Sequence, residues 1–214
     1  MRTTHWILLA IPLTLGCGES DAPKDVADAD TDTDTGPDTP VEPCEWPTGT
    51  AGIEIGERLP SSLAWDGFGP ADTEPRSVSI EEFYDCDGRL GDLHGLLITS
   101  AARWCSWCEL DASEISAAQA DWAAEGLNIK VIHLVVQDDD YSSATVETAR
   151  AWRDDFELSD VYVMADPGMS MFAMDLPSSL AVNPRTMEVV DVTAGYDPSH
   201  EGLLTMARAI HAGD

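Results

Sequence analysis

Two adjoining features limit what this chain can fold into: an apolar run, Leu93 to Ala101 (LHGLLITSA), and the pair of cysteines that follows it in Arg103-Trp104-Cys105-Ser106-Trp107-Cys108. A short apolar run bounded by charge and glycine reads as a buried strand. The segment after it, Glu109 to Glu125, places Leu110, Ile115, Ala118 and Trp122 at close to helical spacing, with acids early and Gly126 as its stop. Both thiols therefore fall in the first turn of a helix that starts directly behind a buried strand.

A C-x-x-C pair can be half of a zinc knuckle, a structural staple or a working redox couple. Structural zinc takes four ligands, yet the chain has no second C-x-x-C, and His94, His133, His200 and His211 show no knuckle spacing. Copper relay through the pair and a distal histidine such as His133 is a further possibility, although a histidine in an apolar strand is more often part of the core. The redox alternative has a direct physical basis. Unsatisfied backbone N–H groups and the positive end of the helix dipole favour a thiolate at a helix N-terminus. Cys105 is then the better-placed nucleophile, and Cys108, one turn on, can attack the resulting mixed disulfide. Such a couple cycles with no bound cofactor, and no metal is expected.

Beyond this helix the pattern alternates. Ile129 to Val136 reads as a strand, Ser143 to Phe156 as a helix, Val161 to Ala165 as a strand, Gly168 to Asp175 as a short methionine-rich helix and Ser179 to Val182 as a strand. Asn183-Pro184-Arg185-Thr186 is turn chemistry, joining LAV to MEVVDV as an antiparallel hairpin, and Ser199 to Ala212 is a last helix. The order predicts an α/β fold in which a central mixed sheet is flanked by helices. Upstream, SVSIEEFYDCDGRLGDL predicts a further β-hairpin turning at Asp87-Gly88.

The first 43 residues have a different character. Arg2 and His5 precede an apolar run from Trp6 to Leu15, shorter than the roughly 20 residues a membrane span needs but suited to the core of an export signal. Residues 18–43 are acidic, rich in Asp and Thr and without aromatics, so they cannot bury enough surface to offset their ordering entropy; a disordered linker is expected. The Asp-x-Asp pattern falls out of register for a calcium loop, since Thr31, Thr33 and Thr35 would occupy its ligand positions. The domain proper is expected over residues 44–214. With 40 acidic against 11 basic residues and a formal charge of −29, no basic patch for nucleic acid or an anionic membrane is expected. In an exported chain, Cys44 and Cys86 can form a disulfide, stay as two free thiols or link to another chain.

Several of these motifs resemble known families. Leu13-Thr14-Leu15-Gly16-Cys17 resembles the lipobox of bacterial lipoproteins, which implies a signal peptide over residues 1–17, lipidation of Cys17 and a lipid-anchored protein facing the periplasm or cell exterior. The strand ending in Trp-Cys-x-x-Cys, the long helix, the βαβ order, the proline opening a hairpin and the final helix resemble the thioredoxin fold. The hairpin region before the first core strand and Asp111, three residues past Cys108, look most like the TlpA/ResA-type membrane-tethered thiol-disulfide oxidoreductases (redoxins), which usually have glutamate at the Asp111 position. The likeness covers about residues 53 to 212, through RWCSWC and DLPSSLAV. It implies that Pro177 is a cis-proline beside the active-site disulfide, that Leu176 offers backbone groups to a substrate strand, and that Trp104 flanks the nucleophile. Its implied partners are protein thiol or disulfide clients and an upstream electron donor, and a monomer is expected. Two departures stand out: Ser106-Trp107 replaces the proline-containing pairs common in the family, and Thr99 stands six residues before Cys105, where thioredoxins place a buried carboxylate. Two other functions compete, a peroxiredoxin-like thiol peroxidase and a non-catalytic binding module or metal chaperone.

Overall fold

The structure is a computed structural model that describes residues 44–171 and 175–213. Seven strands, β1 (Ala64–Phe68), β2 (Arg76–Ser79), β3 (Gly95–Ala102), β4 (Ile129–Gln137), β5 (Tyr162–Ala165), β6 (Ser178–Asn183) and β7 (Glu188–Ala194), form one sheet in the spatial order β2-β1-β5-β4-β3-β6-β7. β3, β4 and β5 run parallel, joined through α1 (Ser106–Ala124) and α2 (Val146–Asp155). β6 and β7 form the expected antiparallel hairpin beside β3, and α3 (Glu201–Ala212) follows them.

All eight residues of β3 are buried because β4 pairs with one of its edges and β6 with the other while both faces are covered. On one face Leu97, Ala101, Val131 and Val135 pack with Ala112, Ile115 and Trp122 of α1, Ala149 and Trp152 of α2, and Leu203 and Ala207 of α3. On the other, Leu96, Ile98, Ile132 and Leu134 pack with Leu59, Trp65, Val78, Ile80 and Phe83. All three α-helices thus contribute to the same core. Right-handed crossovers from β3 to β4 and from β4 to β5 advance in one direction and leave α1 and α2 on one side. The opposite face is closed by the N-terminal segments and a 3-10 turn, Ile80–Phe83.

The upstream hairpin lies earlier than the sequence predicts. β1 and β2 pair antiparallel at the edge of the sheet, with their connection at residues 69–75 and no strand turning at Asp87-Gly88. A buried carboxylate explains this: Asp85 accepts hydrogen bonds from the amides of Leu90 (2.9 Å) and Leu93 (2.8 Å) and pairs with Arg185 (3.2 Å), which winds residues 85–93 into a compact loop. The short helix expected over residues 168–175 is also absent from its described part. Residues 166–171 form turns organised by Asp166, which accepts from Ser170 Oγ (3.1 Å); residues 172–174 lie outside the described residues. The export signal, Cys17 and the acidic linker likewise lie outside them.

α1 ends as its sequence requires. Gly126 takes a left-handed φ of 82°, its amide bonds to Ala123 O (3.0 Å), and the Leu127 amide reaches back to Trp122 O (2.9 Å), closing a Schellman cap. Gly126→Ala should lower stability by about 1 kcal/mol, because an L side chain is strained in that conformation; urea unfolding followed by tryptophan fluorescence reads the change. Cys44 and Cys86 are joined in a disulfide, Cα to Cα 6.1 Å, that ties the start of the described chain to the Asp85 loop across 42 residues. Closing a loop of that size restricts the unfolded chain, so Cys86→Ser should cost about 2–4 kcal/mol in the same assay, and an unchanged midpoint would show that the bridge does not form.

Candidate active site

The site grows from the end of β3. The β3–β4 register shifts between Ala101 and Ala102, so Ala101 faces Val135 while Ala102 faces Gln137. This bulge brings Gln137 to the turn that leaves the strand: its carbonyl accepts from the Arg103 amide (3.1 Å), and its side-chain Oε1 accepts from Trp104 Nε1 (3.1 Å). The chain then turns through Cys105, whose amide returns to Ala102 O (3.1 Å), and enters α1.

Cys105 is the N-cap of α1, with extended backbone angles, and its Sγ accepts from the amide of Cys108 (3.2 Å). The two cysteines are bonded to each other, Cα to Cα 5.2 Å. Cys105 keeps 7% of its surface exposed and Cys108 none, so the sulfur at the helix start is the more accessible one. Were the bond reduced, the same amide and helix end would stabilise a thiolate on Cys105.

The peptide bond between Leu176 and Pro177 is cis. β6 runs antiparallel to β3, and its first residue, Ser178, pairs with Ser100, so residues 176–177 arrive at the edge of the sheet from which the cysteines emerge. Pro177 O accepts from the Gly195 amide (2.8 Å), and Leu176 packs against the cluster that contains Cys105 and Cys108. The expected site residues Trp104, Cys105, Cys108, Leu176 and Pro177 are thus gathered at one edge.

Asp111 lies one turn beyond Cys108, on the same side of α1, and is almost wholly buried. Its Oδ2 has no hydrogen-bond partner. Burial, with the nearby Glu114 charge adding to it, pushes the Asp111 carboxyl up to about 6. Thr99 is occupied elsewhere: its Oγ1 and His133 Nδ1 are 2.7 Å apart, with both residues buried in paired positions of β3 and β4. Burial pushes His133 down to about 4, so its ring is neutral near pH 7, and it stacks on Trp152 at 5.7 Å. Arg103, adjacent to the site in sequence, is held by Asp138 (3.4 Å), Asp139 (3.1 Å) and Asp155 (3.1 Å). Among the described residues the one cluster with metal-ligand geometry is Cys44, Cys86 and Asp87, where both sulfurs are committed to the disulfide.

Sequence reasoning missed two tyrosines. Tyr141, in the loop after β4, stacks on Trp104 at 5.1 Å, and Tyr196, in the loop after β7, stacks on Trp107 at 5.8 Å. Tyr196 donates to Glu114, which pushes the phenol up to about 12 and keeps it protonated. Their distance along the chain from the cysteines hid both, and the only trace was two tryptophans needing partners. A cavity of about 540 Å³ lies apart from the cysteines, lined by Trp65, Asp66, Thr145 and Asp166 among others.

No family model matches the sequence, and no curated protein sequence does. Solved structures do match the fold. A Chlorobium tepidum protein designated thiol:disulfide interchange protein DsbE aligns with a TM-score of 0.52 at 16% identity, covering 73% of this chain and 99% of its own. A hypothetical protein from Sinorhizobium meliloti gives 0.54 at 16%, covering 77% and 88%, and a Neisseria meningitidis protein designated a thioredoxin gives 0.50 at 17%, covering 72% and 92%. The chain has the thioredoxin fold, with its Cys-x-x-Cys at the start of α1 and its cis-proline before β6.

The Asp111 carboxyl makes stability depend on pH in a definite sense. Its folded value, about 6, lies above the ordinary 3.8. The protonated form therefore suits the folded state, and that contribution is complete below pH 4 and lost as pH rises through 6. Asp111→Asn should be more stable than the parent at pH 8, by at most about 3 kcal/mol, with the difference vanishing near pH 4; urea midpoints across this range test it.

Proposed function

We propose that this protein is a thiol-disulfide oxidoreductase that reduces disulfides in extracytoplasmic proteins through the Cys105/Cys108 couple. The observation that carries the reading is the bonded pair at the N-terminus of α1, with the accessible sulfur at the N-cap and the buried one a turn behind it. The cavity of about 540 Å³ lies elsewhere, which suits a couple that meets a client on an open surface. The thioredoxin fold and the cis-proline ahead of β6 beside the pair support the same reading.

In the reduced protein, the Cys105 thiolate attacks one sulfur of the client disulfide. A Cys105–client bond forms, the client S–S bond breaks, and the departing client sulfur leaves as a thiolate that takes up a proton. Cys108 then gives up its proton and attacks Cys105 Sγ, which closes the protein disulfide and frees the second client thiol. The client gains two electrons and the protein loses two, to be restored by a dithiol donor. Asp111, one turn from Cys108 and titrating near neutrality, is placed to take the Cys108 proton. No cofactor is required.

The amino-terminal residues supply the location in this reading. The apolar run and Cys17 act as a lipoprotein signal, residues 18–43 tether the domain, and the protein works as a monomer at a bacterial membrane, facing the periplasm or the exterior. Among the described residues no helix is long and apolar enough to cross a membrane.

Trapping separates the two cysteines. Cys108→Ser should accumulate a mixed disulfide with insulin or another client through Cys105, whereas Cys105→Ser should accumulate none; the reverse pattern would exchange their roles. The reduction potential tests the direction: a value near the about −120 mV of strong oxidants would make the protein an oxidant instead.

A further inference from the structure

The edge that holds the cysteines also gathers exposed aromatic surface. Trp104, Trp107 and Tyr141 lie there, three of the six large apolar side chains exposed among the described residues. Topology sets the two tryptophans apart. Trp104 leans toward the loop after β4, on one side of β3, and Trp107 toward the loop after β7, on the other side. Each ring is already fixed by its tyrosine, at interplanar angles of 30° and 24°, so a partner contacting it orders little more. Exposed apolar surface concentrated in this way marks an interaction site.

The surroundings of these rings are acidic. Besides the buried Asp111, residues 103–114, 137–143 and 195–200 hold Glu109, Glu114, Asp138, Asp139, Asp140 and Asp197, and Arg103 is their only arginine or lysine. Its guanidinium is taken up by Asp138, Asp139 and Asp155. A cationic chain would meet aromatic faces and unneutralised carboxylates together, a combination that attracts guanidinium and ammonium groups. An acidic chain would meet like charge.

We propose that the two stacked pairs and these carboxylates form a docking surface for a cationic polypeptide, one with arginine or lysine beside its disulfide. The proposal rests on the oxidoreductase reading and narrows its substrate class. Attraction by the whole acidic face would raise the encounter rate, and salt would weaken it.

The test uses the reduced full-length chain and three substrates. Two are synthetic peptides of equal length with one disulfide each, flanked by arginine in one and glutamate in the other; the third is hydroxyethyl disulfide, small and neutral. The expected result is a kcat/KM at least about tenfold higher for the arginine peptide than for the glutamate peptide at low salt, with the ratio falling as salt is added. Glu109→Gln with Asp140→Asn should reduce that ratio, and Trp107→Ala should lower kcat/KM for the arginine peptide more than for hydroxyethyl disulfide. Equal rates for the two peptides, or a faster glutamate peptide, alongside normal reduction of hydroxyethyl disulfide, would overturn the docking proposal and leave the couple standing. Failure to reduce any of the three would refute the oxidoreductase reading and the docking surface with it.

Discussion

The pairing of β3 on both edges is the constraint from which the site follows. With β4 on one side, β6 on the other and every residue buried, this strand has a fixed position and direction, and its end delivers the chain to a defined point. The bulge at Ala101/Ala102 then turns the backbone so that Cys105 becomes the N-cap of α1. Because β6 enters beside Ser100, the cis Leu176–Pro177 bond arrives at the same end of the sheet. Sheet register therefore does most of the positioning, and the cysteines need only the first turn of a helix to gain their environment.

Charge is handled differently inside and outside. A chain with 11 basic residues cannot neutralise 40 acids, and several arginines are spent on tying distant segments together: Arg185 joins the loop before β7 to Asp85 and Asp92, and Arg103 joins the end of β3 to Asp138, Asp139 and Asp155. The Arg103 pairs, whose acids lie at the surface, contribute little stability individually and mainly set loop positions. Asp111 is the exception within α1: it is buried, its Oδ2 has no partner, and burial pushes its carboxyl up to about 6. The carboxylates left at the rim give the site its sign, and the stacked Trp–Tyr pairs give it shape.

Much of this was legible in the residues. The apolar run through Leu97 and Ile98, the helix ending at Gly126 and the β6–β7 hairpin around Asn183-Pro184 each follow from local pattern, because a buried strand, a Schellman cap and a tight turn depend on neighbours in the chain. Other expectations failed for non-local reasons. The stretch around Asp87-Gly88 looks like a turn between strands, but Asp85 and Arg185, one hundred residues apart, make it a loop. The methionine-rich stretch from Gly168 to Asp175 reads as a short helix, yet Asp166 holds its described part in turns. The helices flank the sheet as expected, but that all three α-helices join one core is a consequence of crossover direction that no single segment encodes.

The sequence by itself determined the chemistry available: two thiols at a helix start, an acid one turn on, a proline ahead of a strand, and a strongly acidic chain. Local spacing suffices for these, since a helix dipole and a turn act over a few residues. Only the tertiary structure decided what stands around the thiols. It brought Tyr141 and Tyr196 onto Trp104 and Trp107, paired Thr99 with His133, and placed Leu176 and Pro177 at the cysteine edge. Those neighbours come from strands and loops far apart in the chain, and they meet only because one buried sheet sets the register of all of them.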